Sequence, residues 1–142
     1  MNSRLDAIQA AILDVKLNYL DQFVKARQSA AAFYDRELAN IQEIILPARV
    51  PYSSHSFHQY TIKVPGKRDE LQKFLHSKGI PSMIYYPLPL HLQEAYHYLG
   101  YKKGDFPVSE KLSEQVLSLP MHTELTEEQL TYIVSAIRSF FS

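Results

Sequence analysis

From Asn2 to Leu46 the chain contains neither glycine nor proline, and Ala, Leu, Gln, Lys, Arg and Glu dominate it. These residues suit a helix because they lose little side-chain freedom there and leave the backbone ladder intact. Leu5, Ile8, Ile12, Val15, Tyr19, Phe23, Ala26, Ala30 and Phe33 recur three or four residues apart, which places them on one helical face. The pattern predicts one long helix, or two nearly continuous ones, over 1–46. Any bend should fall at Asn18 or Asp21, the weakest helix residues inside it. Such a helix projects beyond the body of a 142-residue chain unless something covers it. The expected cover is a partner, either another subunit or a further domain. The alternative is that later elements fold back along the whole length.

Residues 47–142 read as a separate α+β unit. Pro47 ends the helical region and 48–56 connect onward. Phe57 to Val64 alternates, with Tyr60, Ile62 and Val64 on one face, as a half-buried strand does. Pro65-Gly66 marks a turn. Arg68 to Lys78 predicts a short amphipathic helix with Leu71, Phe74 and Leu75 inward and Gly79 closing its C-terminus. Ile80 to Tyr85 predicts a second strand, and Leu92 to Leu99 a short helix ending at Gly100. Pro107 suits the first turn of a further helix, with Val108, Leu112 and Val116 inward. Residues 117–121 should be extended. Thr126 and Gln129 have the spacing of a capping box before a last helix that uses Leu130, Ile133, Val134, Ile137 and Phe141. Together these predict a long N-terminal helix or helix pair over 1–46 and a small, mostly antiparallel sheet with helices on one face.

Basic and acidic residues balance at 15 each, so no field is available to hold nucleic acid or an anionic membrane surface. No apolar run approaches the roughly 18 residues that span a bilayer, and the N-terminus lacks the apolar core of a signal peptide. The absence of cysteine removes disulfides, thiolate nucleophiles and Cys-type zinc sites and fits a reducing compartment. A cytoplasmic protein is expected. His55 and His58 are three apart at a loop–strand junction with no second ligand pair at a familiar spacing, so metal binding is not expected. There is no phosphate-binding glycine loop and no nucleophile elbow. What stands out is Tyr85-Tyr86-Pro87-Leu88-Pro89-Leu90-His91. Its two prolines fix φ, remove two donors and extend the residues before them. This stiff arm carries two phenols and an imidazole, either as the edge of a site or as a plain cover for the core.

The motifs also resemble, in order, the C-terminal part of the DegT/DnrJ/EryC1/StrS family of aminotransferases. Asn2-Ser3-Arg4-Leu5-Asp6 resembles the family's Asn-x-Arg helix opening, and His58-Gln59-Tyr60 its small-domain strand. Gly79-Ile80-Pro81 through His91 resembles its central signature. Gly100-Tyr101, Gly104-Asp105-Phe106-Pro107, Leu117-Ser118-Leu119-Pro120-Met121 and Leu125-Thr126 come next in the family's order. The resemblance implies the small domain of a fold-type I pyridoxal-phosphate (PLP) enzyme, acting on a nucleotide-linked keto-sugar with glutamate or glutamine as amino donor.

The resemblance also implies what this chain lacks. The family's cofactor lysine, the aspartate on the pyridine nitrogen and the aromatic stacked on the ring all lie upstream of the Asn-x-Arg element. No catalytic residue is therefore expected here, no cofactor is expected on this chain alone, and by itself it should be inactive. Lys16 and Lys25 should be ordinary exposed lysines. By the same resemblance Asn2 matches a cofactor-phosphate contact across a dimer, and without an intact partner site it should serve only as a helix N-cap. Arg4, Tyr86 and His91 match positions around the substrate. Arg4 would orient an acid group or, preferably, make an interface ion pair, while His91 would face the ligand with Tyr86 beside it. Phe57 is assigned no polar role. The partners implied are a second copy or the PLP-bearing N-terminal domain, together with the nucleotide sugar. The competing reading is a non-catalytic small-molecule-binding or dimerisation module derived from that fold.

Overall fold

The computed structural model describes residues 4–142. The expected break in the N-terminal helix falls at Asn18-Tyr19, between α1 (Ala7–Leu17) and α2 (Leu20–Leu38). The Asn18 side chain turns back to donate to the carbonyls of Asp14 and Val15 at 3.3 and 3.4 Å. Local bonding of this kind competes with the helical ladder. The cap of α1 is Asp6, whose carboxylate accepts from the Gln9 amide at 2.8 Å in a capping box. The expected cap, Asn2, lies outside the described residues.

Helix α2 stops at Leu38 rather than continuing to Leu46. Ile41 and Ile44 donate to the carbonyls of Leu38 and Ile41, and Ile45 then pairs with Lys63 through two backbone bonds of 2.9 and 3.0 Å. Strand β1 (Tyr60–Lys63) pairs antiparallel with β2 (Val116–Leu119), in a register that sets Tyr60 opposite Leu119 and Ile62 opposite Leu117. The sheet ends on single bridges, Ile45 beside β1 and Met83 beside β2. The strand expected over 80–85 thus shrinks to Met83. Pro81 has no N–H to offer a ladder, and Pro87 and Pro89 stiffen the chain beyond Tyr86.

Helices α2, α3 (Arg68–Ser77) and α5 (Glu127–Phe141) pack together over this sheet. Tyr60, Ile62 and Val64 are fully enclosed, as their alternation predicts, along with Leu71 and Leu75 of α3 and Ile137 of α5. Gly79 has φ 71°, a left-handed turn open to glycine that lets Ile80 donate back to the Leu75 carbonyl. Tyr34 of α2 is buried and donates its hydroxyl to the Pro120 carbonyl at 2.9 Å. Tyr60 donates to Asp35 at 2.7 Å. Burial raises both phenol pKa values, and in Tyr60 the Asp35 carboxylate adds to the rise.

Helix α1 buries none of its residues. Leu5, Ile8, Ile12 and Val15 are all more than half exposed. Among the described residues, later elements therefore do not fold back along the whole N-terminal helical segment: α5 covers part of α2, and the first half of the stripe is bare. The C-terminal half of α2 joins the core through Ala30, Ala31, Tyr34 and Leu38, with Phe33 packed against it. Among the described residues no helix is long and apolar enough to cross a membrane.

Candidate functional site

The proline arm leaves the sheet edge at Met83 and reaches two short 3₁₀ helices, Leu90–Leu92 and Glu94–Leu99, in place of the single helix expected there. The first forms because Leu92 and Gln93 donate to the carbonyls of Pro89 and Leu90. This tight turn rotates His91 inward, to 8% exposure, while Leu90 stays outside. Gly100 closes the second turn, and a loop leads to helix α4 (Pro107–Gln115), which has Pro107 at its start as expected.

Between the arm and α4 lies a groove of about 770 Å³ whose walls include Tyr85, Tyr86, Leu90, Phe106, Val108 and Leu112. Val108 and Leu112, expected in the core, are exposed and face this groove instead. Helical periodicity marked the apolar face of α4 without showing that no element covers it. Tyr86 is largely exposed and lines the groove, and its ring meets Tyr85 at 5.5 Å rather than the expected His91. His91 is not in the lining. It lies behind the wall, its ring 4.8 Å from that of Phe106. Arg4 is exposed and makes no ion pair among the described residues, and Asn2 lies outside them.

One residue that the sequence reading passed over ties this region together. Glu110, in the first turn of α4, accepts at Oε1 from His91 Nε2 at 2.9 Å and from the Gly104 amide at 2.8 Å. The Phe106 amide reaches the same oxygen at 3.4 Å. A carboxylate only accepts, so the Nε2 of His91 carries the proton. The Gly104 bond, helped by His91, holds the Glu110 carboxyl below its ordinary pKa against the opposing effect of desolvation. Gly104 has φ 100°, a region in which a side chain is strained and which aims its amide at Glu110. An acidic residue three positions after Pro107, in the turn following Gly-Asp, was the available signal.

A smaller cleft of about 290 Å³ adjoins the first across Tyr85 and is lined by Arg27, His58 and Ser118. Nη1 of Arg27 is spent on the carbonyls of Phe57, His58 and Met121 at 3.0–3.2 Å. Phe57 sits at φ 51°, which is costly for a bulky residue. Besides these carbonyl bonds it is held by stacking on His55 at 4.2 Å and by the Arg49 guanidinium over its ring at 4.0 Å. Among the described residues no three potential metal ligands gather.

Pyridoxal phosphate requires an amine to carry it and donors for its phosphate. Among the described residues the larger groove is lined by no lysine or arginine, and its one charge is the Asp105 carboxylate. It does not fit the cofactor. Lys16 and Lys25 are exposed, as expected.

The profile of the DegT/DnrJ/EryC1/StrS aminotransferase family matches residues 1–138. A "pleiotropic regulatory protein" of Geobacillus stearothermophilus is 51% identical over 142 residues, covering 99% of this chain and 38% of that protein. The UDP-N-acetyl-3-dehydro-alpha-D-glucosamine 3-aminotransferase of Acidithiobacillus ferrooxidans is 41% identical over 137 residues, covering 96% of this chain and 36% of its own. The solved structure of DesV from S. venezuelae superposes with a TM-score of 0.95 at 36% identity, over 100% of this chain and 38% of that one. The chain thus spans little more than a third of the relatives it matches. With its α+β fold and its ordered motifs, the chain belongs to the DegT/DnrJ/EryC1/StrS aminotransferase family.

Proposed function

We propose that this chain forms the C-terminal small domain of a PLP-dependent aminotransferase that aminates a nucleotide-linked keto-sugar, with glutamate or glutamine as donor. The observation that carries the reading is the match to the family over residues 1–138, in a chain with a groove lined by the motif tyrosines. When bound by the whole enzyme, the cofactor supplies the electron sink for amine transfer. The residues of this chain bind and orient. Tyr85 and Tyr86 offer phenol donors from a stiff arm, so little side-chain freedom is lost when they meet a sugar. Phe106 and Leu112 exclude water from that side. His91 supports the wall from behind. Asn2 contacts the cofactor phosphate of a neighbouring subunit, and Arg4 makes an ion pair at the same interface.

The bare face of α1 is the contact with a second copy or with the cofactor-bearing domain. An isolated helix of fewer than about 12 residues is marginal in water, so a partner that buries Ile8 and Ile12 would stabilise α1 as well as the complex. The other reading is a binding or dimerisation module without chemistry. The exposed stripe of α1 favours it equally.

A chimera separates the two. The corresponding 137-residue stretch of the Acidithiobacillus enzyme is replaced by this chain, and transamination of that enzyme's own UDP-keto-sugar is assayed. Retained activity is the expected result. A folded chimera that binds its cofactor and does not turn over would overturn the aminotransferase reading in favour of the module. In the chain alone, added PLP followed by borohydride should leave no lysine modified at a specific position. A single labelled lysine would contradict the assignment of the cofactor lysine to another part of the enzyme.

A further inference from the structure

We propose that Glu110 is a positioning residue, a latch that fixes the Phe106 wall of the groove by holding His91 and the Gly104 amide on one carboxylate oxygen. Its donors come from two segments that are remote in sequence. His91 belongs to the end of the proline arm, whereas Gly104 and Phe106 belong to the loop before α4. Among the described residues, His91–Glu110 is the one hydrogen bond joining 86–99 to 101–115. The groove runs between those segments, with Leu90 on one and Phe106 and Val108 on the other. Its width therefore depends on that bond and on the tilted packing of His91 against Phe106, which itself meets Tyr101 edge-on at 5.0 Å.

A carboxylate suits this task. It has lone pairs for several donors, and bonds to a charged acceptor are stronger than neutral ones. The Glu110 side chain is 12% exposed and His91 8%, so water competes little for either. A residue that only capped α4 would have no need of His91.

The inference rests on the groove being the substrate rim, but its first test needs no substrate. Amide exchange and ring contacts are read by NMR in the 142-residue chain, in E110A and in E110Q. In E110A the Gly104 amide should exchange about tenfold faster or more, as expected for loss of a charge-assisted bond. The His91–Phe106 ring cross-peaks should also weaken. The amides of α5, whose Leu130, Ile133, Val134 and Ile137 lie in the core, report that the rest is intact. E110Q keeps an acceptor oxygen and should restore most of the protection. Unchanged Gly104 exchange and ring contacts in a folded E110A would overturn the latch, as would failure of E110Q to rescue. If E110A does not fold, the wild type decides, because a Gly104 amide exchanging like an unprotected peptide sinks the proposal. In the chimera, E110A should raise KM for the sugar while kcat changes by less than about threefold. An unchanged KM with a freed loop would show that the latch does not serve the groove. An inactive chimera would count against the aminotransferase reading and leave the NMR result to judge Glu110.

Discussion

Helices α1 and α5 begin alike and end in opposite circumstances. Each opens on a capping box, Asp6 with Gln9 in one and Thr126 with Gln129 in the other. Each carries an apolar stripe at helical spacing. Yet α5 buries Leu130, Ile133, Val134 and Ile137 against α2 and α3, whereas α1 buries nothing. Caps and periodicity say where a helix starts and which side is oily. They do not say what lies against that side. Burying a large aliphatic side chain contributes about 1.5–3 kcal/mol, so α5 draws its stability from within this chain, and α1 gains no matching term among the described residues.

The largest expected effect is on the α5 side. Ile137 is fully enclosed, and Ile137→Ala should cost about 2–5 kcal/mol through lost transfer energy and a residual cavity, measured by urea unfolding. A loss below about 1 kcal/mol would mean that α5 is not a core helix. Next come the caps. Thr126→Ala should cost about 1 kcal/mol of global stability. Asp6→Ala should reduce helicity at α1 by circular dichroism without moving the urea midpoint, because α1 unfolds independently of the core.

A smaller effect is electrostatic. Glu37 of α2 accepts from Arg138 of α5 at 2.8 Å. Its pKa is lowered by hydrogen bonds from Arg36 and then Arg138. A carboxyl whose pKa is lower when folded stabilises above its unfolded value and loses that contribution as pH falls through the folded one. The urea midpoint should therefore drop as pH falls below about 4.3, the ordinary Glu range, and less steeply in Glu37→Gln. An equal slope in the two proteins would remove this pair from the α2–α5 contact. Least affected of all should be Ile12→Ala, within about 0.5 kcal/mol in the chain by itself. In a complex the same substitution should weaken association, as read by sedimentation. If it unfolds the chain alone, α1 has a cover within it and the contrast with α5 fails.

The same contrast marks how far the residues could be read. The break at Asn18, the alternation of Tyr60, Ile62 and Val64, the Thr126 cap and the buried face of α5 were all legible, because each depends on neighbours close in sequence. The end of α2 at Leu38 was not, since what stops the helix is Ile45 pairing with Lys63 on β1. The strand expected at 80–85 failed for a similar reason. Its apolar residues suit a strand, but a strand needs a partner ladder, and only Met83 finds one. At the candidate site the proline arm was legible as local chemistry. The inward rotation of His91 and its bond to Glu110 depend on a contact between residues 19 apart, which no local pattern encodes. The outward face of α4 is α1's lesson again, apolar spacing that faces an open groove among the described residues.

The way the sheet ends has a consequence for crowded solutions. An unpaired strand edge is a template on which another chain can add itself and begin a fibril. Here both edges are occupied by single residues, and beyond Met83 the chain passes into Pro87 and Pro89, which have no N–H to lend. Recruitment by strand addition is therefore blocked at the arm. The bare apolar surface lies instead on α1 and along the groove between the arm and α4, where association depends on shape and can be reversed.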